Sequence, residues 1–205
     1  ESIDTLIKHL SLPKATWKDE RCASMRFIAR CYTNLDRFEE ARMWLNKAIE
    51  EAPYLIDPYI EMALLEYRFS NWEKVEYYCA LALEIKTHAK SYINEPFSWD
   101  HTPYDLLSLS YFYQEKYNLA LESVDLALEL NPKDERLLKN KQNTQVKTGE
   151  NHESGHPIIH SVICNRTWSV HPFIQNRQEN HLLYSFLTGT LFRSTSSNLL
   201  SWSRL

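Results

Sequence analysis

An all-α solenoid of helical hairpins, right-handed and built from about three repeats with flanking helices and an irregular tail, is the fold class this 205-residue sequence predicts. Three observations predict it. A fixed pattern of large and small residues recurs first at 34 and then at 45 residues; short polar turns fall at matching places in each unit; and no glycine occurs before Gly149.

The pattern is read directly from the residues. Ile28, Ala29, Tyr32, Phe38, Ala41, Leu45, Ala48 and Pro53 line up with Met62, Ala63, Glu66, Trp72, Val75, Cys79, Ala82 and Thr87. The same offsets return as Leu107, Ser108, Tyr111, Tyr117, Ala120, Val124, Ala127 and Pro132. In each unit a large residue followed by a small one lets the first helix approach its partner, and small residues seven apart on the second helix receive it. A 34-residue unit plus an 11-residue insertion accounts for both register shifts.

Taken in chain order, residues 1–19 read as a helix from Ser2 to His9 and a linker closed by Pro13. Residues 20–148 form the repeat domain, with helices expected at 21–34, 38–51, 58–69, 73–86, 103–114 and 118–130. The turns "NLDR", "FSN" and "QEK" join them in pairs, and the prolines of "EEAP" and "ELNP" stop the second helices. The insertion spans about 88–102. A last helix at 134–146, capped by Asp134, turns Leu137 and Leu138 inward and a polar face outward, as the closing helix of a repeat array does. At Glu66 the pattern calls for an aromatic, and adjacent Tyr67 is expected to supply the ring.

From residue 149 to 205 the periodicity stops and the composition turns histidine- and serine-rich. Two readings stay open for this tail: disorder, or an unrelated translation appended to a truncated repeat region. His152, His156, His160 and Cys164 recur every fourth residue, but Gly155 and Pro157 break the helix that would align them, so no metal site is assigned. The chain begins at Glu1 without methionine, as a piece of a longer protein does.

Composition excludes several functions. Without glycine in the first 148 residues there is no phosphate-cradling loop there. A net charge of −4 argues against general nucleic-acid binding. Four cysteines without CxxC spacing suit a reduced, cytoplasmic compartment, and no run of about 18 apolar residues offers a membrane span. Acidic pairs fall on outer helix faces and no nucleophile elbow is present, so no catalytic residue and no cofactor is expected.

Helical repeats bind through the face formed by successive first helices. Projected there, Arg26, Arg30, Asn34, Leu64, Tyr67, Arg68, Asp105, Leu109 and Tyr113 form the expected partner groove, suited to a protein or peptide ligand. Its arginines either hold a ligand carboxylate or phosphate in bidentate fashion, or pair with Asp105 and neighbouring glutamates. The insertion carries Tyr92, Phe97 and Trp99, which either fill the gap between repeats or offer a platform to a sugar ring or partner segment.

The spacing over Met25 to Pro132 resembles the tetratricopeptide repeat. Against the chaperone-tail-binding members of that family, Arg26 and Arg30 stand where a lysine-asparagine arrangement is expected. The stretch "YINEPFSWDHTPYDLLSLSYFYQEKYNLALESVDLALELNPKDERLLKN" further resembles the repeat region that follows the catalytic domain in bacterial family 2 glycosyltransferases, a likeness covering roughly Ser11 to Asn140. The resemblance implies two functions: a non-catalytic interaction scaffold, or an accessory region whose partner is its own upstream nucleotide-sugar-dependent domain. That domain and its metal motif are not in this chain, so no catalytic residue carries over.

Overall fold

Eight helices appear in the computed structural model, which describes residues 1–88 and 91–153, with side chains through residue 149. They are α1 (Ser2–Ser11), α2 (Lys18–Asn34), α3 (Phe38–Glu51), α4 (Asp57–Tyr67), α5 (Trp72–Glu84), α6 (Thr102–Tyr113), α7 (Tyr117–Leu130) and α8 (Glu135–Glu153). The expected metal-competent residues His156, His160 and Cys164 lie outside the described residues, as does the side chain of His152.

Each hairpin is closed by the same turn. Among the described residues, Asp36, Ser70 and Glu115 are the three non-glycine residues with positive φ, at 57°, 55° and 61°, and they stand 34 and 45 residues apart, as the sequence pattern does. The N–H of each donates to the carbonyl three residues back (Thr33, Tyr67 and Phe112, at 3.1, 3.0 and 3.0 Å). The next N–H reaches five back, from Arg37 to Tyr32, Asn71 to Glu66 and Lys116 to Tyr111, at 2.9, 3.1 and 2.8 Å. These paired bonds are a Schellman motif, which satisfies the last carbonyls of the first helix while reversing the chain. Glycine ordinarily holds the left-handed position because any Cβ is strained there. Ser70→Gly is therefore expected to stabilise the fold by about 0.5–1 kcal/mol in urea denaturation, relieved strain outweighing the added freedom of the unfolded chain.

Entry into the first helices follows a second rule. Pro58 and Pro103 stand in the first turns of α4 and α6, where a missing N–H leaves no bond unmade. Asp134 caps α8, its Oδ1 accepting from the Arg136 and Leu137 N–H groups at 2.9 and 3.1 Å.

The small residues of the pattern are the points of closest approach. Ala29, Ala41, Ala48, Ala63, Ala82, Ala120 and Ala127 are all 1% exposed or less. Consecutive helices pack from α1 to α8, and α4 also touches α2 and α6, so the three first helices share one face. Alpha-4 is enclosed by these neighbours and every one of its residues is buried. Arg136 of α8 sends two hydrogen bonds of 2.8 Å to the buried carboxylate of Asp105 and so ties α6 to the closing helix.

One expectation is corrected. Leu137 is fully buried against Val124 and Ala127, but Leu138 is 48% exposed, because adjacent helical positions diverge by about 100° and cannot both face inward. Tyr67, next to Glu66, is buried and packs its ring edge-on against Trp72 of the following helix at 5.6 Å. Glu66 keeps its buried place through charge, accepting from Arg42 Nε at 2.6 Å and from the Asn71 side chain.

Candidate functional site

A helix buried all round has no water to solvate an ionised side chain, so the acids in α4 must find cations in the protein. Glu61 finds two. Its carboxylate accepts from Arg26 Nε at 2.5 Å and from Arg30 Nε and Nη2 at 3.2 and 2.9 Å, so the second repeat is clamped to two successive turns of α2. Burial alone would raise the Glu61 carboxyl; the charges and hydrogen bonds of Arg26 and Arg30 outweigh it and hold the group below its ordinary range.

The insertion completes this cluster. Between α5 and α6 the segment Ser91–Trp99, which includes a single 3₁₀ turn at Pro96–Ser98, reaches back to the first repeat. Glu95 Oε1 accepts from Arg26 Nη2 at 3.1 Å and Arg30 Nη2 at 2.7 Å, and the Ile93 carbonyl accepts from Arg26 Nη1 at 3.2 Å. The Glu95 N–H donates to Asp57 Oδ1 at 2.8 Å. Two guanidiniums thus face two carboxylates across the inner surface of three repeats.

Beside the cluster lies a half-open pocket of about 140 Å³, floored by Leu45, Leu64 and Leu65 and rimmed by Arg30, Asn34 and Phe97. An apolar floor with a few polar groups at its edge accepts a side chain and fixes the chain that carries it.

The nine expected groove residues separate into distinct roles. Arg26 is 1% exposed and wholly engaged, whereas Arg30 keeps part of its surface at the pocket edge and stands over the rings of Phe27 and Phe97 at 5.2 and 6.0 Å. Asn34 is exposed at the rim and Leu64 lies in the floor. Tyr67, Asp105 and Leu109 are spent on packing or on Arg136, so they present little to a partner. Arg68 sits over the Phe38 ring at 5.0 Å, at the hairpin end. Tyr113 is exposed but stacks flat on Trp72, with centroids 4.3 Å apart. The carboxylate partners of Arg26 and Arg30 are therefore Glu61 and Glu95, and Asp105 is taken by Arg136.

The insertion aromatics divide in the same way. Phe97 and Trp99 pack against the core of the second and third repeats, Trp99 stacking on His88 at 4.0 Å. Tyr92 does not fill the gap between repeats; it is 80% exposed and leans on Trp17 at 6.0 Å.

Comparison with known proteins agrees with this geometry. A family model described as the tetratricopeptide repeat matches residues 27–54 and 102–134, the first and third hairpins. The middle hairpin, with Glu66 for an aromatic and Thr87 for the terminal proline, departs most from the pattern. Among solved structures, the first TPR of Spaghetti (RPAP3) bound to the HSP90 peptide SRMEEVD is similar at 17% identity and a TM-score of 0.54, over 64% of this chain and 98% of that one. The NMR structure of the first TPR domain of the human RPAP3 protein is similar at 17% identity and a TM-score of 0.54, over 67% and 99%. No curated protein matches the chain. Nothing in these matches connects the repeats to family 2 glycosyltransferases. Hairpins closed in a common register, matched by sequence in two units and by shape across the array, give the described residues the fold of a tetratricopeptide-like helical-hairpin solenoid.

Proposed function

We propose that the chain is a non-catalytic interaction scaffold that holds an extended segment of a partner protein on its inner face. The observation that carries this reading is the pocket between α2 and α4, where an apolar floor of three leucines meets the exposed amide of Asn34 and the partly exposed guanidinium of Arg30. Such a site buries one apolar side chain and leaves polar groups to orient the flanking backbone. The HSP90 peptide held by one of the similar structures shows that this fold can hold a peptide, and it is a natural first probe.

Asn34→Arg tests the reading, because Asn34 is exposed and the larger side chain fills the pocket mouth without disturbing the core. On a peptide array that includes SRMEEVD, the native chain is expected to give signals that fall at least tenfold with Asn34→Arg. Signals that survive the substitution would place binding elsewhere and end the groove reading. No observation on the described residues favours the accessory-glycosyltransferase reading, which rests on the resemblance alone. Among the described residues no helix is long and apolar enough to cross a membrane.

A further inference from the structure

The inner face of a hairpin array is open along its length unless something crosses it. Here Ser91–Trp99 crosses it, and the contacts it makes are those of a bound peptide. One carboxylate (Glu95) meets two guanidiniums, one carbonyl (Ile93) accepts from Arg26, one N–H (Glu95) donates to Asp57, and one ring (Phe97) enters the pocket edge. The two ends of the segment are held differently. Phe97 and Trp99 lie on the core next to α6, whereas Tyr92 is exposed and Ile93–Glu95 are tied to α2 and α4 by polar contacts.

Those polar ties can exchange. Arg26 and Arg30 keep Glu61 when Glu95 leaves, so neither guanidinium is stranded, and burial favours the neutral form of Asp57. We propose that residues 91–97 are an internal ligand of the groove, holding the place of a partner segment that carries an acidic residue two positions ahead of an aromatic ring, as Glu95 precedes Phe97. The inference rests on the groove reading above and adds the class of partner and its regulation. A tethered ligand competes at an effective concentration of about millimolar, so the native chain binds an outside copy of the same segment weakly. Weakening the tether from within exposes the site.

The test uses the whole chain and a fluorescein-labelled peptide of sequence SYINEPFSW, the segment itself, read by fluorescence polarisation. Glu95→Gln keeps the shape of the side chain and removes its charge. It is expected to bind the peptide at least tenfold more tightly than the native chain, and the gain is expected to vanish when the peptide's own glutamate is changed to glutamine. Hydrogen exchange gives a readout independent of any ligand: the amides of residues 93–95 are expected to exchange at least tenfold faster in Glu95→Gln, with the helices unchanged. Equal binding by both chains, lost with Asn34→Arg, would overturn internal competition while leaving the groove reading standing. Binding by neither chain would overturn the acidic-aromatic partner class, and the array result then judges the groove separately. Unchanged exchange at residues 93–95 would overturn the inference outright.

Discussion

Glu61→Ala is expected to lower stability by about 3–5 kcal/mol, because it leaves the fully enclosed Arg26 guanidinium without the carboxylate that neutralises it. Glu95 remains beside Arg26 at 3.1 Å, but it is shared with Arg30 and comes from an irregular segment, so it compensates only in part. Urea denaturation of the full chain measures the effect. The paired replacement of Glu61 by leucine and Arg26 by methionine is expected to recover most of the loss, since an apolar pair needs no neutralisation. A change under about 1 kcal/mol in the single variant would show that water reaches Arg26. The same cluster sets a pH dependence. The folded value of Glu61 is depressed, so its contribution is fully present above the unfolded carboxyl's pKa of about 4.3 and is lost as pH falls through the lower folded value.

Trp99→Ala is expected to cost about 3 kcal/mol. The ring is half-buried, packs on the core shared by α4, α5 and α6, and stacks flat against His88. Its Nε1 is buried with no hydrogen-bond partner among the described residues, so the contribution comes from apolar contact. That places it at the lower end of the range for removing a buried aromatic. Trp99→Phe keeps the stacking face and is expected to lose less than half as much in the same urea titration. A loss within about 0.5 kcal/mol for the alanine variant would mark the ring as a binding platform instead of a filler.

The hairpins were legible because close helix approach demands small residues at fixed spacing, and that demand is local. Ala41 and Ala48 announce their helix without reference to anything distant, and the polar turns "NLDR", "FSN" and "QEK", repeating at 34 and 45 residues, marked where the chain reverses, although the positive φ of Asp36, Ser70 and Glu115 within them was not legible. The charge cluster was only half legible. Two glutamates inside the otherwise apolar "YIEMALLEY" require cations, and that signal was available for Glu61 and Glu66. Glu95 offered none, because it lies outside every period and meets Arg30 from 65 residues away. Tyr92 misled for the opposite reason: composition groups it with Phe97 and Trp99, but its outward placement depends on the path of the segment, which aromatic content does not fix.

The ties from Arg26 and Arg30 to Ile93 and Glu95 span 65 to 69 residues and skip the whole second repeat. Stacked repeats ordinarily touch only their neighbours, which makes such arrays linear chains of coupled units that fray from either end. Here the first unit is fastened to the approach to the third. The end unit cannot fray without also breaking contacts at the far side of the middle one, and forming those contacts requires the intervening loop of chain to close first. Ties of this span raise the contact order above that of an open solenoid, so slower folding and a more cooperative unfolding transition are expected.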